Sequence, residues 1–567
     1  MSRTRIQINN KLYALLLTLA GLSWLPSGLA EDPKSTCYVP EPKPLQNNID
    51  VHAFYYPGTE WMPEWDMVAQ TLPQIKPLLG WYDEGNPEVI DWQIKWAVEN
   101  GISVFYVDWY WNQGVQRLDH WLKGYYQAKY RSYFKWCVMW ANHNQPGAHS
   151  TEDMLHVTRF WLEHYFNTPE YYRIDDQPVV QIWAWKNIDR DFIDEAKKNG
   201  EILKEGDGIK RALELCRKEV QTAGLKGIYF VAMNASANHY PLLKEAGFNE
   251  TGSYGYQGET VFNRLSPEEQ EVIQKEYSPR HTPYKYVVKT IPDVWKERLE
   301  TCPDLPFMVF IPTGYDDRPR RFDNSVITVG RNPELFREVC QKAAQFCRKH
   351  GIRHVVLGPI NEWQEGSILE PNEEYGFDYY HVLREVFCQV PEQGWPKDLT
   401  PQQYGLGPYD YPPMEIPART QWTFEQGNEG WYRMPYGAPQ IRVVDGKMKL
   451  IRMFQEQPAM RIRLQPFRAD DFSKLVIRLK VACIEPDGKE LAQIQWSRTD
   501  SPILGENLVI NRKNSLKTSV NGNGQWQEIT FDFSDSPEWK GLINELWFDP
   551  VNRAHAKVEI DTITFVK

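Results

Sequence analysis

His354-Val-Val-Leu-Gly-Pro-Ile360 is a short apolar run that leads directly into Asn361-Glu-Trp-Gln-Glu-Gly366. Its length and its β-branched residues indicate a buried strand. The preceding segment, Asn332 to His350, has the features of a helix, because Asn-Pro stands at its start and Gly351 at its end. A helix that leads into a buried strand is the repeating unit of an α/β domain with parallel strands.

Seven further apolar runs of this kind precede that strand between residues 50 and 395, and helical patterns such as Pro87 to Asn100 separate them. Eight such units over this length predict an α/β fold, a (β/α)8 TIM barrel with insertions. A doubly wound open sheet is the alternative, but no Gly-rich phosphate-binding fingerprint follows any of the runs. The predicted strands are Val51 to Tyr56, Ser103 to Trp109, Phe134 to Trp140, Pro178 to Trp185, Gly227 to Met233, Phe248 to Tyr254, Phe307 to Ile311 and His354 to Ile360.

Composition divides the chain into five segments. Residues 1–30 carry basic residues, then an apolar run and small residues, as a secretory signal peptide does. Residues 31–49 form an N-terminal extension, 50–395 the barrel, and 396–420 a linker rich in Pro, Gly and Tyr. Short alternating segments in 421–567 predict an all-β jelly-roll sandwich. The signal predicts a secreted or periplasmic protein.

Composition also indicates the class of partner. The net charge of −11 lacks the basic surplus of a nucleic-acid-binding protein. After the signal, no uncharged stretch approaches the roughly 20 residues of a membrane span, so we expect no stable membrane insertion. The 23 Trp, 30 Tyr and 24 Phe residues make up 14 % of the chain, and exposed rings bind sugar faces. These features favour a polysaccharide or oligosaccharide substrate.

In a TIM barrel the active site lies where the strands end. The last predicted strand runs into Glu362 and Glu365. Glycoside cleavage needs one protonated carboxyl group and one ionised carboxylate with separated pKa values, so these two glutamates are the predicted catalytic pair. Two acids at this spacing are usually surface residues, but their position directly after a buried strand favours catalysis.

The other strand ends supply candidate substrate-binding residues. Asp108 closes an apolar strand, where an acid is costly unless it is paired or functional, and a structural acid bonded to backbone is the alternative. Aromatic residues at strand ends are either core residues or platforms for sugar rings. The candidates are Tyr55, Tyr56, Asp108, Trp109, Trp111, Trp140, Asn142, Asn234, Tyr254, Asn361 and Trp363.

No cofactor is predicted for catalysis. The eight cysteines are dispersed without CxxC spacing, and the histidines at 143, 149 and 156 match no usual zinc pattern. Asp189-Arg190-Asp191 is a DxD of the kind that sugar transferases use for a metal, but the pattern alone is very weak.

The segment Ile360-Asn-Glu-Trp-Gln-Glu-Gly-Ser-Ile-Leu-Glu-Pro371 resembles the active-site segment of glycoside hydrolase family 99 and its WbsX-like relatives, which carry an N-E-W-x-E-G-[ST]-x-[IL]-E-P pattern. Gly80-Trp-Tyr-Asp83, Tyr110-Trp111 and Trp140-Ala-Asn142 resemble markers of the same relatives in the same order. The resemblance covers about residues 50–390. At His143 the relatives often have Glu, a difference that concerns the sugar contacts of the third strand.

This resemblance implies a (β/α)8 barrel and endo-acting cleavage of α-mannosides with retention. In such enzymes the residue matching Glu362 deprotonates the 2-hydroxyl of the substrate, which forms a 1,2-anhydro sugar. The residue matching Glu365 protonates the leaving oxygen and then activates water. Substrate participation of this kind is a recognised exception to the two-carboxylate scheme.

The C-terminal segment resembles carbohydrate-binding jelly-roll modules. Glu425 and Asp561 occupy places where such modules often hold a structural calcium ion, so a calcium site is expected there. The alternative is a sandwich that only packs on the barrel, because fold similarity does not transfer function.

Three functions are consistent with the sequence. The first is an exported glycoside hydrolase that acts on α-mannosidic or related linkages. The second is a glycosyltransferase, the label that many WbsX-like chains receive, but export would separate it from activated sugar donors. The third is a glycan-binding protein without catalysis.

Overall fold

Eight parallel strands follow one another along the chain and form a barrel. The computed structural model describes residues 38–58, 62–321, 325–411, 418–433, 440–451, 459–498, 501 and 513–567. The expected signal peptide therefore lies outside the described residues, as do residues 31–37 of the extension and 412–417 of the linker. The barrel strands are β1 (Asp50–Tyr55), β2 (Ile102–Asn112), β3 (Lys135–Trp140), β4 (Gln177–Ile182), β5 (Tyr229–Met233), β6 (Glu250–Gly252), β7 (Val309–Ile311) and β8 (His354–Pro359).

Neighbouring strands pair in parallel in the order β7-β8-β1-β2-β3-β4-β5-β6. The gap between β6 and β7 is joined by a parallel bridge between Thr251 and Phe307. There the Met308 N–H also donates to the Thr251 carbonyl oxygen at 2.9 Å. The eight predicted strands and the barrel architecture are confirmed.

Helices connect the strands and begin and end at the residues that the sequence indicated. α2 starts after Asn86, whose side chain accepts a hydrogen bond from the Glu88 N–H, and Asn332 accepts one from the Leu335 N–H at the start of α12. The helices are α1 (Met62–Thr71), α2 (Pro87–Val98), α3 (His120–Tyr125), α4 (Thr151–Trp161), α5 (Trp185–Lys198), α6 (Asp207–Thr222), α7 (Tyr240–Ala246), α8 (Glu259–Phe262), α9 (Pro267–Glu276), α10 (Tyr284–Thr301), α11 (Arg318–Arg321), α12 (Pro333–His350) and α13 (Asp378–Phe387). Within the described ranges, no helix has the length and apolar character that crossing a bilayer requires.

After β8 the chain makes a two-stranded hairpin and then, beyond the linker, eleven short antiparallel strands in two sheets. The hairpin consists of β9 (Asn361–Glu362) and β10 (Ser367–Ile368). The later strands are β11 (Gln421–Trp422), β12 (Tyr432–Arg433), β13 (Gln440–Val444), β14 (Lys447–Ile451), β15 (Met460–Arg468), β16 (Lys474–Ala482), β17 (Leu491–Arg498), β18 (Ser515–Ser519), β19 (Asn523–Asp532), β20 (Leu542–Asp549) and β21 (Lys557–Val566).

The two sheets have the orders β13-β14-β21-β16-β19, with β11 against β21, and β12-β15-β20-β17-β18. One continuous core of buried apolar residues, including Trp422, Leu475 and Phe548, lies in this region. The predicted C-terminal β-region is thus confirmed. β18, with the mostly polar sequence Ser-Leu-Lys-Thr-Ser, lies at a sheet edge.

The linker and the second sheet both contact the barrel domain. Tyr409 of the linker accepts a hydrogen bond from the Trp92 indole at 2.9 Å, and the Trp96 indole donates to the Leu399 carbonyl oxygen at 2.8 Å. Arg463 of β15 forms an ion pair with Asp66 of α1 at 3.1 Å. Both tryptophans belong to α2, so this helix is the surface on which the linker lies.

A layer of tryptophans fills the space between the barrel and α4. Trp161 is fully buried, and its ring lies 5.7 Å from that of Trp109 and 5.6 Å from that of Trp140. Its indole N–H has no hydrogen-bond partner among the described residues, so Trp161 contributes through packing.

We expect Trp161→Ala to lower the free energy of unfolding by about 3 to 5 kcal/mol, because it leaves a large cavity in this layer. Denaturant unfolding followed by circular dichroism measures the change. Val115→Ala, at a side chain that is 57 % exposed, is the control and should change stability by no more than about 0.5 kcal/mol. Equal effects of the two substitutions would contradict the role given to the layer.

Candidate active site

The hairpin after β8 brings both predicted catalytic glutamates to the end of the barrel. Glu362 ends β9, and a 3-10 turn over Trp363–Glu365 connects it to β10. Gly366 closes the turn with a φ of +59°, where a Cβ atom would lie 2.7 Å from the Asp316 Cβ and 2.9 Å from its carbonyl oxygen. Only glycine tolerates this approach, so Gly366 allows the tight turn that carries Glu365.

A cavity of about 350 Å³ opens where β5, β6, β7 and β8 end. Glu362 and Glu365 both line it, so the structure brings the predicted pair to one cavity, as in other barrels with sites at the carboxyl ends of their strands. The lining also includes the candidates Asn234 and Tyr254. The remaining lining residues are Trp183, Gly255, Tyr256, Gln257, Thr260, Tyr284, Val287, Phe310, Pro312, Thr313, Gly314, Tyr315, Thr328, Pro359 and Ser367.

The Tyr254 hydroxyl lies between two carboxyl groups. It is 2.9 Å from Asp108 Oδ2 and 3.4 Å from Glu362 Oε2. A hydroxyl donates one hydrogen, so it can donate to only one of these oxygens at a time. Asp108 Oδ1 is buried without a hydrogen-bond partner among the described residues. The side chains of Asp108, Tyr254 and Glu362 therefore form one group, and the two carboxyl groups compete for the hydroxyl hydrogen of Tyr254.

Burial controls the protonation of this group. It raises the pKa of Glu362 to about 7, although the positive charge of Arg320 and the Tyr254 hydrogen bond partly offset the effect. Burial, followed by the charge of Glu362, raises the pKa of Asp108 well above its ordinary value. Two carboxyl groups linked through one hydroxyl do not both ionise easily, so the protonation of Asp108 and that of Glu362 depend on each other.

Arg320 is a site residue that the sequence did not indicate. It lies in α11 and forms an ion pair with Glu365, and its charge also lowers the pKa of Glu362. Its position is set by the turn after β7, where Arg318 binds Asp316 and the Asp316 N–H donates to the Glu365 carbonyl oxygen at 2.6 Å. The sequence offered one signal for Arg320: it is a cationic residue in the loop after β7, and the end of that strand contributes to the site.

Three candidate residues position the site. The Asn234 side chain accepts a hydrogen bond from the Tyr254 N–H at 3.1 Å. The buried Asn361 side chain accepts from the Tyr56 N–H at 2.8 Å and donates to the Tyr56 carbonyl oxygen at 2.9 Å. Asn361 thus joins the ends of β8 and β1, while Tyr56 is held through its backbone.

Trp363 points away from the cavity into a buried polar network. Its indole N–H donates to the Tyr82 hydroxyl at 3.1 Å, and that hydroxyl donates to Glu370 at 2.9 Å. The Gln93 amide donates to the same Glu370 oxygen at 3.2 Å. Burial raises the pKa of Glu370 to about 8. The network fixes the indole between the two glutamates of the hairpin, which makes Trp363 a positioning residue.

The structure corrects five other candidates, which do not reach the cavity. Side chains alternate along a strand, so Asp108 points into the barrel and Trp109 points into the helix layer. Trp109 stacks on Trp111 with ring centroids 5.7 Å apart. The Asn142 side-chain amide donates a hydrogen bond to the Ala184 carbonyl oxygen at 3.0 Å. The residues buried in this way, without a ring face or amide free for a sugar, are Tyr55, Trp109, Trp111, Trp140 and Asn142.

The expected calcium site stays a prediction. Asp561 forms ion pairs with Lys447 at 3.1 Å and Arg478 at 3.2 Å, and Glu425 is exposed. Cationic neighbours do not suit a Ca²⁺ ligand, which needs several oxygen atoms around the ion. In the described part of the chain, no cluster of three or more His, Cys, Asp or Glu side chains could hold a metal ion.

Buried carboxyl groups at a cavity where the strands of a parallel (β/α)8 barrel end are typical of the active sites of barrel enzymes. The family model described as "Glycosyltransferase WbsX" matches residues 63–383. The chain belongs to this WbsX family, which confirms the resemblance found in the sequence.

The chain is also similar to three known proteins. The "Uncharacterized protein WxcX" of Xanthomonas campestris pv. campestris is 23 % identical over 383 residues, which cover 63 % of this chain and 49 % of that protein. The chain therefore spans about half the length of the curated relatives it matches. The GH99 endo-α-mannosidase of Bacteroides thetaiotaomicron is similar over 59 % of this chain and 95 % of its own, with 16 % identity and a TM-score of 0.41. A low-affinity xylan-binding module of Roseburia intestinalis is similar over 24 % of this chain and 89 % of its own, with 16 % identity and a TM-score of 0.16.

The raised pKa of Glu370 predicts a pH dependence of stability. A carboxyl group whose pKa rises on folding, here from 4.5 to about 8, binds its proton more tightly in the folded state. Its contribution to stability is therefore lost as the pH rises between these values, by up to about 1.4 kcal/mol per pKa unit.

Glu370→Gln keeps the acceptor oxygen and removes the charge, so its free energy of unfolding should fall less between pH 5 and pH 8 than that of the unsubstituted protein. Urea unfolding at several pH values measures this. Glu373→Gln, at an exposed neighbouring position, is the matched control and should retain the original pH dependence. An unchanged slope for Glu370→Gln would disprove the protonated state of Glu370.

Proposed function

We propose that this protein is a glycoside hydrolase that cleaves α-mannosidic or related glycan linkages with retention, by participation of the substrate 2-hydroxyl. The observation that carries the proposal is the cavity that Glu362 and Glu365 share at the end of the barrel. Membership in the WbsX family supports a glycan substrate. The signal-like segment at residues 1–30 supports a secreted or periplasmic location.

In the first step, Glu362 accepts the proton of the substrate 2-hydroxyl. A base with a pKa of about 7 is half ionised at neutral pH, which suits this role. The 2-oxygen attacks C1 as the C1–O bond to the leaving sugar breaks, and Glu365 gives its proton to the leaving oxygen. The products of this step are a 1,2-anhydro sugar, protonated Glu362 and ionised Glu365.

Arg320 supports the proton transfer from Glu365. Because Glu365 is paired with Arg320 before substrate binds, it must take up a proton to act as the acid, and the adjacent guanidinium then stabilises the carboxylate that forms again as Glu365 gives this proton to the leaving oxygen. In the second step, ionised Glu365 accepts a proton from water, whose oxygen attacks C1. Glu362 returns its proton to the 2-oxygen, and both glutamates regain their starting states.

Asp108 and Tyr254 assist Glu362. The Tyr254 hydroxyl can donate to either carboxyl group, so it can follow the proton as Glu362 is protonated and deprotonated. Burial and the charge of Glu362 raise the pKa of Asp108 well above its ordinary value, so Asp108 favours its neutral form beside an ionised Glu362.

The family description favours one alternative, a glycosyltransferase. Such an enzyme would have to bind the diphosphate of a nucleotide sugar beside three carboxyl groups, those of Asp108, Glu362 and Glu365. The two acids of the DxD sequence are engaged elsewhere: Asp189 accepts from the Gly206 and Ile209 N–H groups, and Asp191 binds His149 at 2.8 Å. Both observations favour the hydrolase.

The first test is hydrolysis of a polysaccharide panel that includes α-mannans. Glu362→Gln and Glu365→Gln should each reduce the rate by about 10²- to 10⁴-fold, because each removes a proton-transfer group. Glu373→Gln, an exposed glutamate nearby, is the control. Full hydrolysis by both active-site variants would refute the proposal, and transfer from a nucleotide sugar without any hydrolysis would support the glycosyltransferase.

The second test is the pH profile of hydrolysis. Because Glu362 acts in its ionised form, the rate should fall as the pH drops through about 7. Arg320 lowers the pKa of Glu362, so Arg320→Gln should move this limb to higher pH as well as reduce the rate. Arg318→Gln removes a neighbouring arginine that is paired with Asp316, and it should leave the limb in place. A limb that Arg320→Gln leaves unmoved would show that another group controls it.

A further inference from the structure

A second cavity, of about 370 Å³, adjoins the catalytic one. The two cavities share Asn234, Gly255, Tyr256, Thr260 and Phe310 as common wall residues. Its volume falls in the range of small-molecule sites, roughly 300 to 1,000 Å³. The residues that line only the second cavity come from the segment after β5, from α7 and α10, and from Ser253 after β6 and Arg264 after α8, so this space extends from the strand ends toward the helix layer.

Arg298 of α10 lines this second cavity and is buried, with 8 % of its surface exposed. Its Nη2 donates to the Ser253 hydroxyl, and the guanidinium lies 6.0 Å from the centre of the Tyr240 ring. Among the residues that the structure describes, its Nε–H has no hydrogen-bond partner and no carboxylate forms an ion pair with it. A buried guanidinium without an anionic partner is costly.

The carboxylate nearest in sequence does not neutralise this charge. Glu297 also lines the cavity, but its carboxylate binds Arg264 at 2.6 Å. The second cavity is thus lined by two arginines and one glutamate, while the charged residues that line the first cavity are Glu362 and Glu365. Burial lowers the pKa of Arg298, because the charged guanidinium is less stable away from water.

We propose that this second cavity is a subsite for an oxyanion group of the glycan, such as the carboxylate of a uronic acid or a phosphate ester. The proposal rests on the glycan-processing function above and specifies the substrate class as an anionic glycan. Arg298 lines this cavity, and a guanidinium binds such a group through its positive charge and its terminal N–H donors. The adjacent Ser253 hydroxyl and the exposed Asn234 amide supply further polar contacts to the same sugar.

The test measures binding and not hydrolysis, so that its failure differs from failure of the proposed function. The full-length protein with Glu362→Gln is titrated at low ionic strength with glucuronate, glucose 6-phosphate and glucose, followed by calorimetry or ligand-observed NMR. We expect at least one charged probe to bind about 10- to 100-fold more tightly than glucose. The carboxylate and phosphate probes distinguish the two sources of the oxyanion.

Three variants assign the binding to the second cavity. Arg298→Gln should reduce the affinity for the charged probe to that for glucose, while Arg298→Lys should keep part of it because the charge remains. Ala237→Phe fills the cavity without altering Arg298 and should also abolish binding, which keeps the test valid if Arg298→Gln does not fold. Arg211 is an exposed arginine of α6 that is paired with Glu201. Arg211→Gln is therefore the matched control and should bind the charged probe normally.

Three results would overturn the proposal: charged probes that bind no better than glucose, equal binding by the protein and its Arg298→Gln variant, or normal binding by Ala237→Phe. Hydrolysis of an uncharged glycan with no binding of either charged probe would reject this subsite and leave the proposed function intact. Charged probes that bind through Arg298, with no glycan hydrolysed, would support the subsite and reject the hydrolase.

Discussion

Burial of carboxyl groups at the carboxyl end of a parallel barrel is the constraint on which the site depends. Asp108 and Glu362 lie on either side of one tyrosine hydroxyl, in surroundings that disfavour two negative charges. Removing water from an acid raises its pKa, and a neighbouring acid raises it further. Arg320 partly offsets this effect, so Glu362 titrates near neutral pH. A solvent-exposed pair of the same residues would be fully ionised and unable to exchange protons at pH 7.

The hairpin after β8 places the two glutamates of the sequence motif at one cavity. Its middle residue, Trp363, is held beneath the site by Tyr82, which in turn is bonded to the protonated Glu370. Because the indole is anchored, the glutamates on either side of it reach the same cavity. The polar network lies outside the reacting centre and shares no residue with the cavity lining. Its function is therefore to keep the turn in one conformation, which catalytic geometry requires within about 0.5 Å.

Charge is distributed unevenly across the strand ends. Glu362 and Glu365 line the first cavity, while the buried Arg298 lines the adjoining one. A glycan that carries one negative group could place its neutral ring against the acids and its anion against the arginine. Such an arrangement gives both affinity and orientation, since like charges at the acidic side would reject the reverse pose.

The barrel fold and the position of Glu362 and Glu365 after its last strand could be predicted from the sequence because both depend on local pattern. Apolar runs of strand length, caps such as Asn332 and Gly351, and acids directly after β8 are readable one segment at a time. The aromatic residues were harder to interpret. Trp109 is adjacent to Asp108 in β2 and Trp140 ends β3, and only the direction of their side chains assigns them to the helix layer. The sequence by itself determined the architecture, the family and the two glutamates. Tertiary structure alone decided that Arg320, Tyr254 and Asp108 meet at Glu362 and that Arg298 stays unpaired, because the burial and charge of these groups arise from segments far apart in the chain.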